Sequence, residues 1–296
     1  MHDLPRARLS LIAGAVLLST GGAAIKLCGM TSWQVASFRS GVAALALLWL
    51  APAPRRAYDW RALMAGAAYA ATMILFVLGN KLTTAANTIF LQSTAPLYIA
   101  LLSPWLLGEP TRRSDLAVMA TMAIGLALFF VGEQPSLASA PEPMRGNLIA
   151  ALDGVTWALT VMAVRWISRD PSASIGAMLV TGNALACLIC LPLALPVAHA
   201  TAADWAVIAY LGVFQIGAAY VLVSAGMRHL TALAGMLLLL LEPVLNPLWA
   251  GLIQGERPSN WSLLGGAIVL AATIGSGISS ARSPDRRLPR RSPRTG

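Results

Sequence analysis

The chain has 296 residues, of which 57% are apolar and only 11% are charged, and its formal net charge is +9. A water-soluble domain carries about 25% charged residues, so this composition excludes a soluble globular protein and indicates that lipid covers much of the surface. Three cysteines are too few for the disulfide framework of a small secreted protein. The apolar excess also excludes intrinsic disorder over most of the chain.

Ten apolar segments are each long enough to cross a bilayer as a helix, which takes about 20 residues. The predicted spans are Leu9–Leu27, Ser32–Ala51, Trp60–Leu78, Thr84–Leu106, Asp115–Gly132, Gly146–Ser168, Ser174–Pro196, Ala203–Gly226, Thr231–Ile253 and Trp261–Ala281. A polar, proline-rich linker separates the fifth span from the sixth. The sequence therefore predicts an all-α membrane protein with two five-helix units (1–132 and 146–281), a linker (133–145) and a basic tail (282–296).

Lysine and arginine residues are distributed unequally between the two ends of these spans. The end that holds both termini collects sixteen, six of them in the tail, whereas the other end has only Lys26, Lys81, Arg145 and Arg257. Cytoplasmic segments carry the basic excess, so we predict cytoplasmic termini and an outer linker. The basic residues do not form a face with interleaved aromatic residues, so we predict lipid and no nucleic acid as a partner.

The two halves contain an internal repeat. When the second half is aligned on the first, Gly79 matches Gly226, Thr84 matches Thr231, Pro96 matches Pro243, and Gly108–Glu109 matches Gly255–Glu256, always with the same offset in number. Because five is odd, the two copies are predicted to enter the membrane from opposite faces. Inverted repeats of this kind are typical of secondary transporters that work by alternating access.

These features resemble the drug/metabolite transporter superfamily of the EamA type. The resemblance rests on the ten spans, the five-plus-five repeat and the proline followed twelve positions later by Gly-Glu in each half, and it covers about residues 9–281. Within the superfamily, the length and the basic tail are most similar to the bacterial aromatic amino-acid exporters. The resemblance implies a bacterial inner-membrane exporter with a periplasmic linker and a central cavity lined mainly by spans one, three, four, six, eight and nine. The halves differ at Glu242, whose counterpart is Ala95.

Polar and aromatic residues recur on single faces of the predicted spans three and six and, with Gln92 rotated away, of span four. In span eight they recur with less regular spacing. Such residues are costly when they face lipid, so they are predicted to line a cavity; hydrogen bonding between helices is the alternative. Trp157 stands out because it lies in mid-span, whereas the other eight tryptophans lie near span ends. The predicted substrate-binding residues are Trp157, Tyr69, Met73, Phe76, Asn80, Asn87, Gln92, Tyr98, Asp153, Thr156 and Gln215.

Four ionisable residues lie within the spans. A charge near the bilayer centre costs at least ~2.5–3.5 kcal/mol, so Asp153 and Glu242 are candidates for proton coupling or for binding a substrate ammonium, with a structural ion pair as the alternative. Arg39 is interpreted as paired with a carboxylate or extended to the outer surface. Lys26 is predicted to extend to the outer surface.

Three prolines, Pro96, Pro243 and Pro247, are candidate hinges, because each removes a backbone hydrogen bond; static kinks are the alternative. Glu109 and Glu256 are interpreted as capping or packing residues. The histidines and cysteines share no metal-ligand spacing, and no phosphate-binding loop or hydrolase motif occurs. We therefore predict no enzyme, cofactor, metal or catalytic residue.

The sequence thus favours a secondary transporter that exports small metabolites, most plausibly aromatic or other neutral amino acids. Trp157, Tyr69, Met73 and Phe76 would contact the substrate side chain, and Asn80, Asn87, Gln92 and Asp153 would meet its amino or carboxylate group. A carrier of drugs or of sugar phosphates is the rival within the superfamily, although a phosphate would call for several cavity cations. A passive channel or a membrane scaffold is the rival from another class, and the oligomeric state stays open.

Overall fold

The computed structural model describes residues 3–54, 57–108, 113–131, 138–170, 173–230 and 232–282. The regular elements in these ranges are all helices. They are α1 (Asp3–Ser19), α2 (Gly21–Leu27), α3 (Ser32–Leu50), α4 (Trp60–Leu82), α5 (Ala85–Gln92), α6 (Ala95–Leu106), α7 (Arg113–Leu128), α8 (Pro143–Ile167), α9 (Ile175–Ala194), α10 (Ala202–Tyr210), a π-helical segment (Leu211–Ala218), α11 (Ala219–Met227), α12 (Ala232–Leu239), α13 (Leu241–Gln254) and α14 (Asn260–Arg282).

Eight stretches of helix are long and apolar enough to cross a membrane. Two further apolar stretches, Leu116–Leu128 and Asn260–Gly275, are shorter within the described residues and lie where spans five and ten are predicted. The predicted all-α, multi-pass membrane architecture is therefore confirmed, and the number of ten spans stays a prediction. The tail beyond residue 282 lies outside the described residues.

Three predicted spans are broken near their middle. The first divides at Thr20, the fourth at Ser93–Thr94 and the ninth at Leu240. Pro96 and Pro243 each lie in the first turn of the helix that follows a break, where a missing N–H costs no helical hydrogen bond. These two prolines therefore begin a half-helix and do not bend a continuous one.

The helix bounds repeat between the two halves. The offset that aligns Pro96 with Pro243 also moves α5 onto α12, and it moves the first residue of α7 onto the first residue of α14. Gly108 and Gly255, which the same offset relates, share a φ of 68°, a left-handed conformation that glycine adopts without a steric penalty. The repeat seen in the residues is thus also a repeat of local structure.

Contacts at one end of the bundle set the relative directions of the two halves. Lys26, near the end of α2, donates a hydrogen bond of 2.8 Å to the Thr83 carbonyl, and Gly146, near the start of α8, packs against the backbone of Thr83. The first span therefore ends where the sixth begins. The equivalent helices α1 and α8 run in opposite directions, as an inverted repeat requires.

Helix packing follows the same two-fold relation. The pair α4 and α8 has its equivalent in α11 and α1, and α5 and α6 pack on α8 as α12 and α13 pack on α1. Two further contacts, α3 with α9 and α7 with α14, join equivalent helices. The halves therefore interlock through matching surfaces, and the interface between them runs through the centre of the bundle.

Charged residues sort between the two ends of the bundle. We define the Lys26 end by residues 26–31, 81–85, 138–147, 200–204 and 254–258, and the Arg61 end by residues 4–8, 57–61, 166–170 and 226–230. The four basic residues predicted on the outer side, Lys26, Lys81, Arg145 and Arg257, all belong to the Lys26 end, whereas Arg8 and Arg228 belong to the Arg61 end.

Lys26 does not extend to the surface, so this prediction is wrong. Its ammonium forms an ion pair of 2.9 Å with Glu256, and the two side chains are only 3% and 1% exposed. Glu256 also accepts a hydrogen bond of 2.9 Å from the Ala85 N–H, at the start of α5. Glu256 was predicted to cap or pack beside the helix that follows it, and the observed contacts of its carboxylate are with the opposite half. Glu109 lies outside the described residues.

Candidate functional site

A cavity of about 440 Å³ lies between the two halves, near the breaks in the fourth and ninth spans. Its size is that of a small-molecule site. Its wall is formed by Leu18, Arg39, Met73, Phe76, Ile89, Gln92, Ser93, Ala95, Pro96, Trp157, Val161, Gln215, Ile216, Tyr220, Val223, Met227, Leu239, Leu240, Glu242, Pro243 and Thr273. These residues come from all six spans that the resemblance implied, and also from α3 and α14.

The cavity lies on the pseudo-two-fold axis, because equivalent residues of the two halves face each other across it. The six pairs in its wall that the repeat relates are Met73 and Tyr220, Phe76 and Val223, Gln92 and Leu239, Ser93 and Leu240, Ala95 and Glu242, and Pro96 and Pro243. Inverted-repeat transporters bind substrates at such an interface, beside discontinuous helices. The position therefore fits a substrate site.

Among the residues that the structure describes, Arg39 is the one cationic residue in the cavity wall. Its side chain is 1% exposed, its Nη2 donates to the Met73 carbonyl at 3.0 Å, and its Cζ lies 5.9 Å from the centre of the Phe76 ring. No carboxylate oxygen of the described residues lies within 4 Å of it, and its Nε has no acceptor. A buried guanidinium with donors to spare is suited to hold an anion.

Glu242 adds a carboxyl group to the same wall. It lies in the first turn of α13 and belongs to the cavity wall, and within the described residues its carboxylate forms no ion pair. The equivalent position in the first half is Ala95, which also lines the cavity. This carboxyl group is therefore contributed by one half only.

Gln92 and Asp153 form a polar pair beside the cavity. The Gln92 amide lies in the wall and donates from Nε2 to Asp153 Oδ2 at 2.9 Å. Asp153 is fully buried behind it and is not part of the wall, while the Thr156 hydroxyl donates to the Asp153 carbonyl at 3.0 Å. Asp153 thus positions Gln92, and it has no direct access to a ligand in this conformation.

Gln215 lies in the π-helical segment of the eighth span, which begins after α10. Wide helical turns of this type often occur at functional sites, because they re-aim side chains. Gln215 reaches the cavity wall, and its Nε2 donates to the Leu18 carbonyl at 3.4 Å. The matching region of α4, residues 64–71, is a regular α-helix, so the π segment is a second difference between the halves.

The structure brings only part of the predicted set together. Trp157, Met73, Phe76, Gln92 and Gln215 line the cavity. The other predicted residues lie outside its wall, namely Tyr69, Asn80, Asn87, Tyr98, Asp153 and Thr156. Their part in substrate binding stays a prediction.

The residues outside the wall are occupied by packing between helices. Tyr69 is fully buried, with its ring 5.9 Å from that of Tyr220 in an edge-on contact. Asn87 donates to the Asn147 amide oxygen at 3.0 Å, and Asn80 donates to the Phe76 carbonyl at 2.9 Å. In this structure these side chains pack and form hydrogen bonds between and within helices, which is the alternative given for the polar residues of the spans.

Several wall residues were not predicted from the sequence. Tyr220, Val223 and Leu239 could have been found by applying the repeat alignment to Met73, Phe76 and Gln92, which were predicted. Leu240 carries no polar signal, and the Thr273 hydroxyl donates to the Val269 carbonyl of its own helix, so only packing reveals these two residues as part of the wall. Searching for polar and aromatic residues on one face of a helix does not identify the apolar residues that line a cavity.

Comparisons with known proteins agree with this architecture. The profile of the EamA-like transporter family matches residues 6–131 and again residues 144–278. A solved structure described only as the crystal structure of a protein is similar over 93% of this chain and 98% of its own, with 22% sequence identity and a TM-score of 0.62; this similarity shows a shared fold. No curated protein matches the chain.

Proposed function

Because the chain belongs to the EamA-like transporter family, whose members are membrane transporters, we propose that it exports amino acids across a bacterial inner membrane by alternating access. The substrates are aromatic or other neutral amino acids. They bind in the cavity between the two halves, which opens to one side of the membrane at a time. The ten spans form two inverted repeats, residues 1–132 and 146–281, with the linker 133–145 in the periplasm and both termini, including the tail 282–296, in the cytoplasm.

One observation carries the choice of amino acids: Arg39 and Glu242 place a positive and a negative charge on the wall of one otherwise largely apolar cavity. A neutral amino acid has one carboxylate and one ammonium group. The guanidinium accommodates the carboxylate with paired hydrogen bonds, and Glu242 accepts from the ammonium. Both protein charges are then compensated by a single bound molecule.

The rest of the wall suits an apolar side chain. Trp157, Phe76 and Tyr220 supply aromatic surface, while Met73 supplies a flexible apolar side chain and Ile89 a branched aliphatic one. Aromatic rings interact favourably with one another in offset or edge-on geometry, and methionine adapts to irregular shapes. This composition favours phenylalanine, tyrosine, leucine or methionine over strongly polar amino acids.

Proteoliposomes containing the purified chain provide the test. Uptake of phenylalanine is compared with uptake of phenethylamine and of 3-phenylpropionate, each of which lacks one of the two charged groups. We expect saturable transport and counterflow for phenylalanine only. Replacing Arg39 by Gln should reduce phenylalanine uptake by about tenfold, since an unpaired buried charge partner costs ~1–3 kcal/mol, and Arg39→Lys serves as the charge-preserving control.

The same assay separates the rival functions. Equal transport of phenethylamine would favour a carrier of cationic drugs, and flux without saturation or counterflow would favour a channel. The absence of uptake and of any thermal shift with all three compounds would favour a scaffold. Repeating the phenylalanine assay with and without an imposed pH gradient tests whether Glu242 or Asp153 supports proton coupling.

A further inference from the structure

The ion pair between Lys26 and Glu256 joins the two halves of the protein outside the substrate cavity. Lys26 ends the first span, and Glu256 follows α13 in the second half. Their charged atoms are 2.9 Å apart, and almost no part of either side chain is exposed. Buried charges are tolerated when they are paired, and a partner that is left alone is strongly disfavoured.

Further hydrogen bonds draw four segments of the chain to this pair. Lys26 Nζ also donates to the carbonyl oxygens of Thr83 and Ser139, and Glu256 Oε2 accepts from the Ala85 N–H. The first span, the turn between the third and fourth spans, the segment before α8 and the turn after the ninth span therefore meet at one point. The pair exists only while these four segments are assembled.

A second closed layer lies between this ion pair and the cavity. Asn80 and Asn246 are fully buried, and their side-chain oxygens each lie 2.9 Å from the place that a Cβ atom on Gly22 would occupy. The first, third and ninth spans thus touch with no space between them. The Lys26 end is therefore sealed in this conformation, while the cavity wall extends the other way, to Met227, a residue of the Arg61 end.

We propose that the Lys26–Glu256 pair is a latch that holds the Lys26 end closed and separates when the cavity opens toward that end. The proposal rests on the alternating access proposed above. When two halves rock about a central site, the contacts that join them at one end must part. Lys26 and Glu256 come from different halves, so opening separates their charges and admits the water that solvates them.

The ion pair at the opposite end differs in exposure. Arg61 and Asp170 also join the two halves, but their side chains are 35% and 28% exposed. An exposed pair contributes little, because water already solvates both charges. Loss of the buried partner at the Lys26 end leaves an uncompensated buried charge, whereas loss of a partner at the Arg61 end does not.

Sided cysteine labelling tests the latch without relying on transport. Cys28, Cys187 and Cys190 are replaced by alanine, and Ser93→Cys places one thiol on the cavity wall. A membrane-impermeant maleimide is added to intact cells, whose outer face is the Lys26 end in the proposed topology, and to inside-out vesicles. The reporter chain should be labelled in vesicles and protected in cells.

Two latch variants and one matched control are then introduced into the reporter chain. Glu256→Gln keeps an oxygen for the Ala85 N–H while removing the charge, and Lys26→Met keeps an unbranched side chain that is one atom shorter. Each should raise labelling in cells at least threefold. The double variant should do no more than either single one, because the pair acts as a unit. Asp170→Asn, in the pair at the Arg61 end, should not raise it.

Unchanged labelling of a folded Glu256→Gln chain would overturn the latch. Failure of both variants to give monodisperse protein would also overturn it, since the pair would then be a structural support. Raised labelling in a chain that transports none of the tested amino acids would leave the latch in place and refute the proposed substrate. Amino-acid transport together with unchanged labelling of the latch variants would support the proposed substrate and refute the latch.

Discussion

If the proposed amino-acid substrate is bound, different residues of the cavity wall contact its charged groups and its side chain. Arg39 is held by the Met73 carbonyl and by the face of the Phe76 ring, so its guanidinium has a fixed position before any ligand enters. A pre-positioned donor loses little conformational freedom on binding. Gln92 is likewise fixed by Asp153, which leaves the aromatic residues to distinguish side chains.

Trp157 should contribute to the affinity for apolar side chains. We expect Trp157→Ala to lower the uptake of phenylalanine by about tenfold, since burying a large side chain contributes ~1.5–3 kcal/mol, and Trp157→Phe to retain most of it. The control is Trp49→Ala, because Trp49 is 82% exposed and outside the wall. Concentration dependence of uptake in proteoliposomes measures the effect, and equal Michaelis constants for Trp157→Ala and the unsubstituted chain would contradict it.

Sequence reasoning was most successful where a side chain has one physical option. Trp157 was singled out because an indole in mid-span needs a polar or aromatic neighbour, and it lies in the wall. Asn80 and Asn87 could not be told apart from cavity residues, because an amide that bonds within its own helix or to another helix has the same spacing as one that faces a ligand. The partner of Lys26 lies in the other half of the chain, beyond the ninth span, and no local pattern reveals it.

Helices of this bundle approach closely where glycine removes the side chain. A Cβ atom on Gly146 would lie 2.5 Å from the Thr83 nitrogen, and one on Gly154 would lie 2.7 Å from the Leu91 carbonyl oxygen. Both glycines are on α8, which packs on α4 and α5. Without a hydrophobic driving force between helices in lipid, such close contacts are a main source of association.

Gly146→Ala should therefore destabilise the protein, by ~1–3 kcal/mol, because the added methyl group forces backbone apart. Gly275→Ala is the matched control, since a Cβ atom at Gly275 has nothing within 4 Å. Thermal unfolding in detergent provides the measurement, with a lower midpoint expected for Gly146→Ala only. Equal midpoints for the two variants would show that α8 shifts without cost.

The positions of the helices were well predicted from the apolar runs, but the breaks within the spans were not. The predicted fourth and ninth spans each consist of two helices, with breaks at equivalent positions of the repeat. Pro96 and Pro243 signalled an irregularity, but proline fits the first turn of a new helix as well as it kinks an old one. The first span breaks at Thr20 without a proline, and the π-helical segment has no sequence signal.

The two halves share one packing scheme, and together they enclose the site. The repeat, the odd number of predicted spans per half and the asymmetric basic residues were all readable from the sequence, because each follows from counting. The Lys26–Glu256 contact at the Lys26 end was not readable, because an apolar pattern does not specify which polar side chains meet at the end of a bundle. The conformation of the bundle could therefore be determined only from the structure.

The orientation in the membrane gives a prediction for the whole molecule. Single cysteines at Arg145 and Arg257, in a cysteine-free chain, should react with an impermeant maleimide added to intact cells, because both residues are exposed at the Lys26 end. Cysteines at Arg8 and Arg228 should react only in inside-out vesicles. If the cysteines that replace Arg257 and Arg228 were labelled from the same face, the inverted topology would be refuted.

Under the proposed alternating access, Glu242 has a consequence for the direction of transport. If the chain were a dual-topology dimer of two identical five-helix subunits, its inward and outward states would be degenerate, and the carrier would dwell equally on both faces of the membrane. The counterpart of the Glu242 carboxyl group is the Ala95 methyl group, so the pocket is chemically asymmetric. The inward and outward states then need not have equal energies. Gene duplication followed by divergence at such a position is thus a route by which a reversible carrier acquires unequal affinities for its cargo on the two faces.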